Sequence, residues 1–150
     1  MLQRKQSLWL MLSACVLGLT YFIPFGVKML SSMGTEQIIS TPLYNYSFFP
    51  IMALTILGML LPVATIFLFK NRSLQMRLII IAMGLQGAAL VSMILKCLDK
   101  TDGNKFVFGM LGSQLYIGLA IPLISIILLY MAYHGVHNDD KLVKSADRMR

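Results

Sequence analysis

The chain has 150 residues, of which 57% are hydrophobic and 13% charged, and its formal net charge is +7. Soluble domains are about 45–50% apolar and about 25% charged, so this chain has too little polar surface to face water on all sides. The composition therefore excludes an ordinary soluble domain. An excess of Lys and Arg orients membrane proteins, and we favour that explanation of the charge over nucleic-acid binding.

Four apolar segments are each long enough to cross the ~30 Å hydrocarbon core of a bilayer as a helix. They cover residues 8–30, 48–69, 78–98 and 106–133. Between and after them lie a loop at 31–47, a turn at 70–77, a loop at 99–105 and a tail at 134–150. The sequence therefore predicts an all-α integral membrane protein, a four-transmembrane-helix bundle in a single domain that spans residues 1–150.

The basic residues are unevenly divided between the two sides of this bundle. One side would carry Arg4, Lys5, Lys70, Arg72, Arg77, Lys141, Lys144, Arg148 and Arg150. The other side would carry Lys28, Lys96, Lys100 and Lys105. Because segments rich in Lys and Arg stay in the cytoplasm, both termini are expected to be cytoplasmic, in a bacterial inner membrane.

The charged tail has the pattern of a short helix. Asn138 is a suitable N-cap, and Asp139 and Asp140 would favour the positive end of the helix dipole. Apolar and basic side chains then separate onto opposite faces from 141 to 149. The pattern predicts an amphipathic cytoplasmic helix that lies on the inner leaflet or docks in a partner's groove. A frayed, charged tail that only sets the topology is the alternative.

Rows of small residues recur every four positions along two of the predicted spans. They are Ala14 and Gly18 on the first span, and Gly84, Ala88 and Ser92 on the third. Such rows let helix backbones approach closely. We expect these rows to pack the four spans against one another, with recruitment of a partner helix as the alternative.

No ionisable residue falls in the middle of a predicted span, where charged groups usually mark function. Neutral polar residues do, and Gln86 and Gln114 on adjacent spans are expected to hydrogen-bond across the bundle. A small transporter or channel would instead need a polar pathway around Gln86, Gln114, Thr55 and Tyr116.

Catalytic and metal-binding patterns are weak throughout the chain. His134 and His137 precede Asp139 and Asp140, and a lipid- or quinone-directed enzyme would have to use this group to move protons. Spacing of three without a cysteine is poor support for a metal site. We therefore expect no catalytic residue, no metal and no cofactor. The two cysteines, Cys15 and Cys97, fall near opposite surfaces and are not expected to pair.

Three stretches resemble a family of small four-span inner-membrane proteins of Bacteroidota, domain of unknown function family 4293. They are MLQRKQSLWLML at the start, FLFKNRSLQMRL in the middle and KLVKSADRMR at the end. The resemblance covers the full length and implies a fold and an address, with no activity attached. Lys5 and Trp9 depart from the family pattern without weakening the match.

All three stretches fall on the side that charge assigns to the cytoplasm. The resemblance therefore suggests a polar cluster there that bridges the termini to the inner turn or binds a partner. Its members are Gln3, Arg4, Gln6, Asn71, Arg72, Gln75, Arg77, Lys144, Asp147 and Arg148. The leading hypothesis is a non-catalytic accessory or scaffold protein that engages membrane lipid and a protein partner, or a second copy of itself, through this face.

Overall fold

The computed structural model of the chain describes residues 2–31, 38–68, 71–98, 104–105, 109–111 and 114–148. Four helices make up most of it: α1 (Leu2–Gly18), α2 (Phe49–Phe67), α3 (Arg72–Leu98) and α4 (Ala120–Arg148). Single 3₁₀ turns follow α1 at Leu19–Tyr21 and precede α2 at Asn45–Ser47. The second and third predicted spans therefore correspond to α2 and α3, although α3 begins six residues early.

The helices form an antiparallel bundle in which α1 and α3 each pack against both α2 and α4. At one end, Gln6 near the start of α1 contacts Asp139 on α4. We call this the Asp139 end. At the opposite end, the Tyr21 hydroxyl lies 3.0 Å from the Thr55 hydroxyl near the start of α2. Because strands cover that second end, we call it the sheet end.

The outer surface of the bundle is apolar, whereas its interior holds polar side chains. Large hydrophobic residues are exposed on every helix, among them Leu8, Met11, Leu57, Leu60, Phe67, Ile80, Ile81, Leu95, Leu123, Ile127 and Met131. Fully buried polar residues include Ser13, Thr55, Thr65, Gln86 and Ser125. Water-soluble bundles have the reverse arrangement, so an apolar surface of this extent marks contact with lipid or other proteins.

Three helical segments are long and apolar enough to cross a membrane: Phe49–Phe67, Arg72–Leu98 and Ala120–Asp139. A fourth apolar segment, Gln6–Tyr21, is shorter. At 1.5 Å per residue its 16 residues cover about 24 Å, somewhat less than the ~30 Å hydrocarbon core. The helical, membrane-compatible architecture is thus supported by three segments of full length and one short one.

The first helix ends well before the predicted boundary at residue 30. Regular helix stops at Gly18, and one 3₁₀ turn carries the chain to Tyr21. Pro24 explains the early end, because proline lacks the N–H that a helix needs and disfavours helical geometry at Ile23. The chain continues as a strand from Gly26 instead.

Two small sheets at the sheet end correct the prediction of an all-α chain. Strands β1 (Gly26–Ser31), β2 (Ile38–Leu43) and β3 (Asn104–Lys105) form an antiparallel sheet of order β2-β1-β3. Strands β4 (Gly109–Leu111) and β5 (Gln114–Tyr116) form a second antiparallel pair. Parts of the regions predicted as loops and spans are therefore strands, and buried Leu43 packs against Ile51 and Met93 of the bundle.

The fourth helix begins at Ala120, although the sequence predicted a span from residue 106. Glycines at 109, 112 and 118 disfavour helix in this stretch, and its aromatic and β-branched residues favour strands. Pro122 consequently lies in the first turn of α4, where the missing N–H is tolerated.

The tail is part of α4. The prediction of a separate amphipathic helix capped by Asn138 is therefore wrong, because α4 continues without a break to Arg148. The side chain of Asn138 lies 3.0 Å from Nδ1 of His134, one turn earlier on the same helix. Because its side chain is held by His134, Asn138 does not cap the start of a new helix.

Gly118, just before α4, packs directly against the segment that connects α1 to β1. Its N–H donates to the Pro24 carbonyl at 3.2 Å. A Cβ at this position would lie 2.7 Å from the same oxygen and 2.8 Å from the Phe25 Cα. No flexible side chain can move aside there, because both neighbours are backbone atoms.

We therefore expect Gly118→Ala to lower the free energy of unfolding by about 1–3 kcal/mol, the usual cost of overpacking. Thermal unfolding of the purified protein in mild detergent would measure the loss. Gly84→Ala is the matched control, because a Cβ at Gly84 meets nothing within 4 Å. Equal stability of the two variants would contradict the described contact.

Candidate functional site

The Asp139 end joins three helices at one residue. The side chain of Gln6 on α1 is buried, with 7% exposure, and its Nε2 amide donates a hydrogen bond to the Asp139 carboxylate on α4. Gly135, one turn before Asp139, leaves room for this side chain, because a Cβ there would lie 3.1 Å from the Gln6 Cγ. The first helix is thereby held against the fourth at the point where the bundle ends.

The third helix reaches the same residue through Arg72. Its Nη1 donates to the backbone carbonyl of Asp139 at 3.2 Å. Asn71 immediately before it has the N-cap position, since its carbonyl accepts the first helical hydrogen bond from the Gln75 N–H at 3.0 Å. Gln6 and Arg72, from two of the three family-like stretches, therefore meet on Asp139.

The remaining residues of the predicted polar cluster fall into three groups. Gln75 is buried at 5% exposure, on the first turns of α3. Asn71 and Arg77 are exposed at the same end. Gln3, Arg4, Lys144, Asp147 and Arg148 belong to α1 or α4, but their side chains lie outside the described part of the structure.

Asp139 itself was missed as a member of the cluster. The sequence assigned it to the first turn of a new helix, whereas it lies well inside α4. The spacing could have identified it: Leu128, Ala132, Gly135 and Asp139 recur at steps of three or four, which is one face of a helix. A carboxylate at the end of an otherwise buried face is a natural partner for a polar side chain on a neighbouring helix.

The histidines proposed for the enzyme alternative are held by neighbours on their own helix. His134 contacts Asn138 as described, and the His137 ring stacks on Tyr133 with ring centres 6.1 Å apart and planes inclined by 5°. The Asp139 carboxylate accepts a hydrogen bond from Gln6. Among the described residues, no three His, Cys, Asp or Glu side chains converge as metal ligands would.

In mid-bundle, Gln86 has a different partner from the one predicted. Gln114 lies on β5, before α4 begins, so the two amides are not on adjacent helices. Gln86 is fully buried, and its Nε2 donates to the Gly58 carbonyl on α2 at 3.2 Å. Pro62 explains this bond, because a proline at that position cannot donate its helical hydrogen bond to the carbonyl four residues earlier, Gly58. Gln86 replaces the missing donor.

The hydroxyls at depth are likewise bonded to protein groups. Thr55 lies 3.0 Å from the Ile51 carbonyl as well as from the Tyr21 hydroxyl. The Ser125 hydroxyl on α4 donates to the Ser13 carbonyl on α1 at 2.9 Å. The four residues named for a transporter pathway therefore belong to different elements: Thr55 and Gln86 bond inside the bundle, while Gln114 and Tyr116 belong to β5.

The two rows of small residues face opposite ways. On α1, Ala14 is buried and Gly18 approaches the Met59 sulfur, with a Cβ-to-sulfur distance of 3.6 Å if a Cβ were added. On α3, Gly84 and Ala88 are exposed and Ser92 bonds to the Ala89 carbonyl of its own helix. The prediction that the α3 row packs the four helices together is therefore wrong, which leaves the alternative of a partner helix open.

Two shallow grooves lie on the apolar surface. The α1–α2 groove, of about 460 Å³, is near the Asp139 end and is lined by Ser7, Leu8, Met11, Leu12, Cys15 and Ile66. The α3–α4 groove, of about 390 Å³, is near the sheet end and is lined by Leu90, Ile94, Cys97, Leu98, Leu119, Ala120 and Leu123. Cys15 and Cys97 are thus in different grooves, and both are free thiols.

The apolar exterior, the polar interior and the three membrane-length helices together indicate an integral membrane protein. The family model for the domain of unknown function (DUF4293) matches residues 2–149. The chain therefore belongs to that family, as its three family-like stretches indicated. No curated protein and no solved structure matched the chain in the corresponding comparisons.

The Gly58–Gln86 bond yields a prediction that separates a specific hydrogen bond from general packing. Gln86→Leu leaves the Gly58 carbonyl without its donor in the bundle core, and we expect a cost of about 1–3 kcal/mol. Pro62→Ala supplies an N–H that can bond to the same carbonyl in the ordinary helical way. In the Pro62→Ala background, Gln86→Leu should therefore cost about 1 kcal/mol less.

Equilibrium unfolding of the four proteins in the same detergent would complete this double-mutant cycle. Coupling of the two substitutions is the expected result. Costs that add to within about 0.5 kcal/mol would show that Gln86 does not act through the carbonyl that Pro62 frees.

Proposed function

We propose that the chain is a four-span, non-catalytic accessory protein of a bacterial inner membrane, with both termini in the cytoplasm. Its Asp139 end would face the cytoplasm and engage a partner protein or anionic lipid. The observation that carries the proposal is the junction at Asp139, where Gln6 and Arg72 hold α1, α3 and α4 together while Arg77 beside them stays exposed. An end at which three helices are bonded together and a charge stays exposed is suited to binding.

The orientation is supported by the distribution of charge over the bundle. Antiparallel packing places Arg72, Arg77 and Lys141 at the Asp139 end, and Lys28, Lys96 and Lys105 at the sheet end. The start of α1, with Arg4 and Lys5, and the end of α4, with Lys144 and Arg148, are also at the Asp139 end. By the positive-inside rule, that end is the cytoplasmic one.

The absence of a catalytic role is supported by how the candidate groups are used. His137 stacks on Tyr133, and Asp139 accepts the hydrogen bond from Gln6. The Nε2 of Gln86 donates to the Gly58 carbonyl, although its Oε1 has no hydrogen-bond partner among the described residues. These groups have structural partners, which favours an accessory role over an enzyme or a transporter.

The orientation is tested by labelling single cysteines in a chain that lacks Cys15 and Cys97. Thr41→Cys, on the exposed surface of β2, should react with a membrane-impermeant maleimide in intact spheroplasts. Lys141→Cys, exposed on α4, should react only after permeabilisation. The reverse pattern would overturn the orientation.

The accessory role is tested by purifying the tagged chain from native membranes in mild detergent and quantifying the proteins that accompany it. We expect a stoichiometric partner that is reduced at least about tenfold by Arg77→Ala combined with Lys141→Ala, the loss of about 1.4 kcal/mol of binding free energy. Both residues are exposed, so these changes leave the Asp139 junction intact.

Lys28→Ala is the matched control, because it removes a basic residue at the sheet end. A partner lost equally in the control would place the interaction elsewhere. Purification of the wild-type chain without any stoichiometric protein would contradict the partner-protein form of the proposal.

A further inference from the structure

The four helices are aligned at the sheet end through two adjacent residues, Pro24 and Phe25. The Phe25 ring packs against Phe48, just before α2, with ring centres 6.3 Å apart. The Cys97 thiol of α3 donates to the Phe25 carbonyl at 3.6 Å. The Gly118 N–H, just before α4, donates to the Pro24 carbonyl at 3.2 Å. All four helices therefore reach the sheet end at one level.

The hydrocarbon core of a membrane cannot extend past this level into the strands. Open sheet edges carry unpaired N–H and C=O groups, which do not occur in contact with lipid inside a bilayer. Strand β1 begins directly after Phe25, and β2 lies at an edge of the same sheet. The thickness of hydrocarbon that the protein can match is therefore set by how far the exposed apolar surface of each helix reaches toward the Asp139 end.

On α2 and α3 this apolar surface is long. The exposed residues Phe49 and Phe67 mark its ends on α2, about 27 Å apart at 1.5 Å per residue. On α3 the residues from Leu78 to Leu95 are uncharged, and they cover about 26 Å before exposed Arg77. These two helices come close to the ~30 Å core of an average bilayer.

On α4 the exposed apolar surface is shorter. It begins at partly exposed Ala120 and ends at Tyr133, a length of about 20 Å. His134 and Asn138 follow, both exposed and on the same face as Ile127. Their side chains lie 3.0 Å apart and are bonded to each other. A bilayer core of ~30 Å that starts at the sheet end would therefore bring both polar side chains into contact with hydrocarbon.

The first helix is short to a similar extent. Exposed Leu8 and Phe22 mark the ends of its apolar surface, about 21–23 Å apart along α1 and the 3₁₀ turn. Arg4 and Lys5 precede Leu8 on the same helix. The two short helices are neighbours, and so are the two long ones. The exposed apolar surface of the bundle is therefore about 5 Å shorter on the α1–α4 side than on the α2–α3 side.

We propose that the protein thins the bilayer on its α1–α4 side and contacts short-chain phospholipids there in preference to long-chain ones. A bilayer that thins around a short apolar surface keeps polar side chains out of hydrocarbon at a modest cost. Tilting the bundle does not remove the mismatch, because the apolar surface has different lengths on opposite sides. The proposal rests on the membrane insertion that the proposed function includes, and on no protein partner.

A partner helix that covers His134 and Asn138 is the competing explanation for a polar pair on this surface. It would account for α4 alone, whereas α1 beside it is short as well. Thinning accounts for both helices with one property of the lipid. We therefore assign this side of the bundle to lipid of reduced chain length.

Single tryptophans on the two sides can report which lipid each side contacts, because bromine on an acyl chain quenches tryptophan fluorescence on contact. Trp9 is the single tryptophan of the chain, so Trp9→Phe provides the background. Ile127→Trp places the probe on α4, and Leu60→Trp is the matched change on α2, since the two side chains are 59% and 53% exposed.

The full-length variants would be reconstituted into brominated dioleoylphosphatidylcholine mixed with a second, unbrominated phosphatidylcholine. The second lipid is dimyristoleoylphosphatidylcholine, with shorter chains, or dierucoylphosphatidylcholine, with longer ones. The loss of quenching at several mixing ratios yields the affinity of each unbrominated lipid relative to the brominated one.

At Ile127→Trp we expect at least about a threefold preference for the short-chain over the long-chain lipid, because mismatch costs a fraction of a kcal/mol per Å. At Leu60→Trp the two lipids should bind with ratios much closer to one. Equal preferences at the two positions, in either direction, would overturn the proposal while leaving membrane insertion intact.

The cause of the preference is tested by lengthening the apolar surface of α4. His134→Leu combined with Asn138→Leu extends it toward the Asp139 end, and the short-chain preference at Ile127→Trp should fall by at least about twofold. Both side chains are exposed, so the Asp139 junction stays intact. An unchanged preference would contradict the proposal. Protein that does not float with the vesicles would instead contradict membrane insertion, and with it the proposed function.

Discussion

The fold depends on one constraint: a backbone carbonyl or hydroxyl inside the bundle needs a partner there, because the surface that surrounds it is apolar. The Gly58 carbonyl is the clearest case, since Pro62 removes its helical donor and Gln86 from the neighbouring helix supplies another. Ser125 bonds to the Ser13 carbonyl in the same way between α4 and α1. In an apolar surrounding an unpaired group costs several kcal/mol, so these bonds set which helix faces turn inward.

Composition and apolar run length were sufficient for the broad architecture, and α2 and α3 lie close to their predicted positions. Two predicted span boundaries were wrong: the first span ends early, after Gly18, and the fourth begins late, at Ala120. Both errors have the same cause. A continuous apolar run is compatible with either a buried helix or a strand, and periodicity does not separate them. Pro24 and Gly118 carried the distinguishing signal, because one ends a helix and the other allows two backbones to touch.

The site was predictable as a region but not in its contacts. Charge and the family-like stretches brought Gln6 and Arg72 to one end of the bundle, where both do bond to Asp139. The orientation of Gly84 and Ala88 was not readable, because α3 is apolar around most of its circumference. When every face of a helix is hydrophobic, its rotation is decided by a few polar residues such as Gln86, and their partners lie far away in sequence.

The unbroken course of α4 has a mechanical consequence. Its 29 residues form a rod of about 43 Å, longer than the ~30 Å core of a bilayer. Just before the helix begins, the Gly118 N–H bonds to the Pro24 carbonyl, and toward the other end Asp139 is held by Gln6 and Arg72. The segment beyond Asp139 continues the same helix. A sideways force on that segment would therefore act on the bonds of Gln6 and Arg72 to Asp139, and would tilt the whole helix.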